Sequence, residues 1–151
     1  MRRLLALAAL VVFLPAAAQA ARCTVTATGI AFGIYVPFSS TAGTSAGTIS
    51  VQCMGLNGIY TIALNAGING GGNFSNRRMS NGVSYLGYQI YTDAAHTIVW
   101  GDGSGGTVTV SATCTPGICS NSYTTYGRIP GTQITATPGS YSDVTTVTVT
   151  Y

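Results

Sequence analysis

The chain has 151 residues, a formal net charge of +3, and 46% hydrophobic against 6% charged residues. Two of its six arginines are Arg2 and Arg3; from Ala21 onward four arginines stand against three aspartates with no lysine or glutamate, which leaves +1. No basic patch remains to neutralise phosphates, so nucleic acid is excluded as a partner, and the low charge gives little self-repulsion in a chain that packs against others.

The first element is a leader. Arg2 and Arg3 form a basic start, Leu4 to Leu14 is almost unbroken apolar sequence, Pro15 breaks it, and Ala18-Gln19-Ala20 is an A-x-A cleavage signal. The apolar run falls short of the about 20 residues that cross a bilayer, so membrane insertion is not expected. Ala21-Arg22 before Cys23 forms no lipobox. The organisation expected is a signal peptide over 1–20 and one exported domain over 21–151.

The domain reads as all-β. Strand-like runs recur at Thr24–Thr28, Ile30–Val36, Thr48–Met54, Ile59–Leu64, Tyr85–Tyr91, Thr97–Trp100, Thr107–Ala112, Thr124–Arg128, Gln133–Thr137 and Val144–Tyr151. Polar loops separate them at Pro37–Gly47, Gly67–Asn76 and Gly101–Gly106. Helical spacing of apolar residues never lasts beyond a turn; the nearest approach is Thr92–Thr97. Many short strands with polar turns indicate a sandwich or a barrel.

The four cysteines survive leader removal, and an even count after export implies two disulfides. Three connectivities are open. The Pro-Gly turn in Cys114-Thr-Pro-Gly-Ile-Cys119 favours Cys114–Cys119, and Cys23–Cys53 follows by elimination. Chain entropy assigns the long loop roughly 3.7 kcal/mol and the short one roughly 2 kcal/mol. A zinc site lacks ligands, with one histidine and no C-x-x-C.

The final strand alternates Val147, Val149 and Tyr151 with Thr146, Thr148 and Thr150, giving one apolar and one polar face. It carries no charge, lysine or proline, the features that normally protect an edge. Either it is central in its own sheet or another chain covers it.

Neither an enzyme nor a cofactor site is expected. His96 is the one imidazole and reads as a surface turn residue, and no G-x-S-x-G elbow surrounds a serine. Gly101-Asp-Gly103-Ser-Gly105-Gly106 fits G-x-G-x-x-G formally, but a strand pattern follows where a dinucleotide site needs a helix, so it reads as a hairpin turn. Asp93 and Asp102 fall short of a calcium cage. Arg77-Arg78 reads as a solvated pair at a loop end.

Taken in order, the segments carry a resemblance. Cys23-Thr-Val-Thr leads into Ala31-Phe32-Gly33-Ile34-Tyr35, then Ile49-Ser-Val-Gln-Cys53, Tyr60-Thr-Ile-Ala-Leu64-Asn-Ala-Gly67 and Arg78-Met79. Leu86-Gly-Tyr88-Gln-Ile-Tyr91-Thr-Asp93, Trp100-Gly-Asp102-Gly103, Tyr126-Gly-Arg128-Ile-Pro130 and Pro138-Gly-Ser-Tyr141-Ser-Asp143 follow. This order resembles the spore coat protein U family, the domain of archaic chaperone–usher pilins. The resemblance implies an immunoglobulin-like β-sandwich that lacks its last strand. A periplasmic chaperone and then another pilin subunit would supply that strand at the sheet edge, with an outer-membrane usher assembling the fibre. It also places Val144, Val147, Val149 and Tyr151 beside the donor groove and matches the Cys23–Cys53 pairing.

Fibre-forming members carry a donor segment before the first cysteine. Here Ala21-Arg22 alone would precede Cys23 after cleavage, against the about 6 to 10 residues a donor strand needs. The expectation is a strand-accepting terminal subunit of a surface pilus, in adhesion and biofilm formation. The alternatives are a spore- or cell-coat protein and a secreted sugar-binding module using tyrosines such as Tyr123 and Tyr126.

Cysteine parity and export predict no free thiol. Titration of the denatured, unreduced mature protein should detect none, and two or more reactive thiols per chain would overturn the bridges.

Overall fold

A computed structural model describes residues 20–151. The expected leader, 1–20, lies outside the described residues apart from Ala20. Among the described residues nine strands form in chain order: β1 (Arg22–Thr28), β2 (Gly43–Met54), β3 (Gly58–Leu64), β4 (Arg78–Ser80), β5 (Tyr85–Gly87), β6 (Gln89–Tyr91), β7 (Val110–Cys114), β8 (Ile118–Ile129) and β9 (Val147–Thr150), with one 3-10 turn at Phe74–Asn76. They make two open antiparallel sheets, ordered β1-β2-β8-β6 and β7-β3-β9, and a small β4-β5 ribbon. The fold is all-β, as the sequence implies.

β2 and β8 set the frame. Each has twelve residues, and they pair along their whole length from Gly43↔Ile129 to Met54↔Ile118. Alternation turns Ile49, Val51 and Cys53 inward, where they meet Tyr60, Ile62 and Leu64 of β3. Trp100 fills the space between the sheets and donates its indole N–H to Ile62 O at 3.1 Å. Tyr60, fully buried, shares a 2.6 Å hydrogen bond with the Tyr123 hydroxyl and accepts one from Asn121 Nδ2 at 2.9 Å.

The cysteines pair as Cys23–Cys53 and Cys114–Cys119. Cys23 lies directly opposite Cys53 in the β1–β2 register, and the second bridge closes the turn between β7 and β8.

Several strand expectations are corrected. Ile30–Val36 joins no ladder: Gly33 turns the chain with φ +72°, and the segment crosses over Gly47 and Gly127, where the Ser45 hydroxyl of β2 donates to Ala31 O at 2.7 Å. Tyr85–Tyr91 breaks at Tyr88: β5 pairs with β4 and β6 with β8, while Tyr88 N donates to Arg77 O at 3.0 Å. Gln133–Thr137 is a turn. The Gln133 side-chain amide substitutes for a ladder, accepting from Gly87 N at 2.6 Å and donating to Gly87 O at 2.9 Å. Thr97–Trp100 makes isolated bridges only, and Trp100↔Val108 is parallel, so the glycine loop is no hairpin turn. β2 begins inside the expected Pro37–Gly47 loop, and β8 extends back through polar Ser120–Ser122, because each supplies the other's partner. β7 sits later than Thr107–Ala112, and β4 went unread.

The solvated Arg77-Arg78 pair is also corrected. Arg77 is 2% exposed; it donates to Asn65 O at 2.7 Å and Gln89 Oε1 at 2.8 Å, and packs on the Phe74 ring. Burial lowers its pKa, opposed by the nearby Tyr88 and Asp143. Arg78 is half-buried, stacked on Tyr85 and bonded to Asn69 O at 2.8 Å. Arg77→Ala should therefore lower the unfolding free energy by about 2–4 kcal/mol, since it strands two acceptors and leaves a void. Arg78→Ala should cost about 1 kcal/mol or less. Urea denaturation of the two variants measures both, and equal small losses would contradict the buried role of Arg77.

Candidate functional site

The sandwich is open along one seam. β9 ends its sheet and pairs with β3 alone among the described residues. Across the seam, β1 pairs with β2 as far as Thr28↔Thr48, and the chain continues unpaired through Ile30 and Phe32. Two hollows fill the gap and share Ile30, Phe32, Met79 and Tyr141 as lining. One, of about 410 Å³, has Ile49, Leu64 and Ile90 in its floor and Val144, Thr145 and Val147 in its wall. The other, of about 750 Å³, runs on between Ile34 and Phe38 on one side and Leu86, Ile129 and Pro138 on the other. Ile34 and Phe38 are 97% and 81% exposed, so its rim is unprotected apolar surface.

Main-chain groups face this seam as well. Asn65 N donates to Thr146 O at 3.1 Å, and Thr146 N donates to Asn65 Oδ1 at 2.9 Å, so Thr146 turns its backbone toward β3. Alternation along an antiparallel strand then directs the N–H and C=O of Val147 and Val149 to the open edge.

Each wall is held in place by other segments. Ile30 and Phe32 lie over Gly127 of β8, where a Cβ would come within 2.6 Å of Ile30 Cγ2 and 2.7 Å of Phe32 Cζ, so the wall can sit there only over glycine. Tyr35 pins its end, donating to Pro130 O and accepting from Gln133 N, both at 2.9 Å. On the β9 side, Ser142 and Ser80 exchange two backbone bonds of 2.9 and 3.0 Å. Tyr88, edge-on to Phe32, donates its hydroxyl to Asp143 Oδ2 at 2.7 Å. Burial, reinforced by the bond to Asp143, pushes the Tyr88 phenol up to about 12, so it remains a donor.

Of the residues expected at a donor interface, Val144 and Val147 line the groove, Val144 being 59% exposed. Val149 packs against the core instead, and Tyr151 lies half-exposed at the strand end. The sequence reading missed Ile30, Phe32, Tyr88 and Asp143 as groove residues. The period-two spacing of Ile30 and Phe32 could have marked the first wall; Tyr88 and Asp143 left no local signal, since their meeting is tertiary. The remaining polar candidates shape turns: Asp93 accepts from Thr97 and Ile98, Asp102 from Ser104, and His96 packs between Tyr91 and Tyr126.

Residues 8–150 match the family model of the Spore Coat Protein U domain. No curated protein matches the chain. Among solved structures, it is similar to a chain in the crystal structure of the CsuC-CsuE chaperone-tip adhesion subunit pre-assembly complex, from archaic chaperone-usher Csu pili of Acinetobacter baumannii. The TM-score is 0.62 at 24% identity, over 87% of this chain and 40% of that one, so this chain spans well under half of that chain's length. That likeness concerns the fold and accords with an immunoglobulin-like sandwich. With a family model covering nearly its whole length, the chain belongs to the spore coat protein U domain family.

Proposed function

We propose that this protein is a structural, non-enzymatic subunit of a surface pilus built by the chaperone–usher route, and that its open groove accepts a β-strand from a partner. The observation that carries this reading is the seam itself: an apolar groove between the free edge of β9 and the unpaired Ile30–Phe32 segment. An added strand would satisfy the outward main-chain groups of Val147 and Val149, while its alternate side chains enter the two hollows. The partners are a periplasmic chaperone during export, an outer-membrane usher, and a neighbouring pilin in the fibre. Family membership supports them, and the similarity to a chaperone–subunit complex agrees. The strand-accepting interface comprises Val144 and Val147, with Val149 and Tyr151 supplying the rest of the edge. The subunit stands at the fibre end and serves adhesion and biofilm formation; support for the end position is that the similar complex contains a tip adhesion subunit.

A synthetic peptide of about ten residues alternating valine and threonine tests the groove. The mature protein should melt at low temperature alone and at a clearly higher one with peptide. Val147→Asp should weaken peptide binding by at least about a hundredfold, because it sets a charge without a partner in the apolar wall. Val144→Asp, at an exposed position, should weaken binding with little change in the peptide-free melt. A wild-type protein that melts cooperatively as a stable monomer, unmoved by the peptide, would overturn the proposal. Antibody labelling of intact pili should mark fibre ends, and label along the shaft would refute the end position.

A further inference from the structure

The wall formed by β9 presents a physical problem. β9 has four residues and, among the described residues, is paired on one side. Such a strand frays unless something besides its own ladder holds it.

What holds it is polar and centres on Asp143 and Tyr88 in the groove lining. Asp143 Oδ1 accepts from Ile68 N at 3.1 Å, Asn69 N at 3.3 Å and Asn69 Nδ2 at 2.9 Å, while Oδ2 accepts the Tyr88 hydroxyl at 2.7 Å. Gly67 makes room for this: its φ is +79°, and a Cβ there would overlap Asp143 Oδ2. A second link runs alongside, since Arg77 donates to Asn65 O while the Asn65 side chain takes Thr146 N. Arg77 is thus a buried positive charge near the Asp143 carboxylate, one residue removed from the same wall. Loop 65–69, the core residue Tyr88 and the start of β9 are joined without any contribution from a groove occupant.

We infer that Asp143 is a positioning residue: its carboxylate, clasped by Tyr88 and the Gly67–Asn69 loop, holds the β9 wall in its strand-accepting place before a partner arrives. The inference rests on the strand-acceptor reading for its consequence, though the clasp can be tested without it. A wall already in place spares the incoming strand the entropy of ordering it, so affinity gains from the clasp beyond any contact that Asp143 itself makes in the groove. Gly67 belongs to the same device, because any side chain there would displace the carboxylate.

The test compares wild type with Asp143→Ala and, as a milder variant that keeps the ring packing, Tyr88→Phe. Hydrogen exchange of the peptide-free mature protein reads the clasp directly: amides of residues 144–151 should exchange about tenfold faster in D143A, and less so in Y88F, with the β2–β8 ladder unchanged. The Kd for the alternating valine–threonine peptide should rise about tenfold in D143A, so that at a fixed saturating peptide concentration the variant loses more melting temperature than it does without peptide. Unchanged exchange at residues 144–151 overturns the inference. So does an unchanged Kd accompanied by equal losses of melting temperature with and without peptide, which would make Asp143 a merely structural residue. If D143A fails to fold, Y88F carries the same two readouts. If wild type does not bind the peptide, the acceptor reading fails and the exchange comparison alone decides whether the clasp exists.

Discussion

The register of β2 against β8 is the constraint on which the rest of the molecule depends. Because side chains alternate, a slip of one residue would turn Ile49, Val51 and Cys53 to the solvent face and empty the core opposite β3. It would also carry Gly127 from beneath Ile30 and Phe32, where no other residue leaves room. The core face and the seat of the groove wall are therefore set by the same ladder.

The core inside this frame is less apolar than its composition suggests. Arg77 and the Tyr60–Tyr123–Asn121 group lie between or beneath the sheets with partners supplied by distant segments. Unpaired, such groups would each oppose folding; paired, as all but the buried Arg77 Nε are, they are satisfied in few alternative arrangements. Arg77 ties the Asn65 loop to Gln89 of β6, while Tyr123 meets Tyr60 across the sheets and lies edge-on to Trp100. In a domain with one seam open, contacts of this kind keep the two layers in place where a closing strand does not.

The seam follows from what each wall lacks. The β9 edge has main-chain groups turned outward and no charged residue within the strand, while Ile30–Phe32 keeps the apolar spacing of a strand without a neighbour to pair with. A bare edge of that kind pairs readily with another chain. Its flanks are braced by Tyr35 on one side and Asp143 on the other, so both remain apart across an apolar floor. A near-neutral surface adds no repulsion against a partner of the same character.

The sequence by itself determined the fold class, the two disulfide-bonding pairs as favoured candidates, and the apolar face of the last strand. These depend on local pattern: alternation over Val147–Tyr151, the Pro-Gly turn between Cys114 and Cys119, and β-branched runs between polar turns. It did not determine which cysteine partner is real, for Cys53 lies opposite both Cys23 and Cys119 in the sheet, and only the tertiary arrangement selects the first. Nor did it separate Ile30–Val36, a strand by pattern, from a segment without a ladder, because pairing depends on which chain lies alongside. Arg77 beside Arg78 looked solvated because burial of a charge depends on acceptors at Asn65 and Gln89 that are remote in sequence. The same holds for Tyr88 and Asp143, 55 residues apart and joined by one hydrogen bond. Local spacing records which face of a strand is apolar; what that face meets, and whether anything meets it, is decided only when distant segments pack.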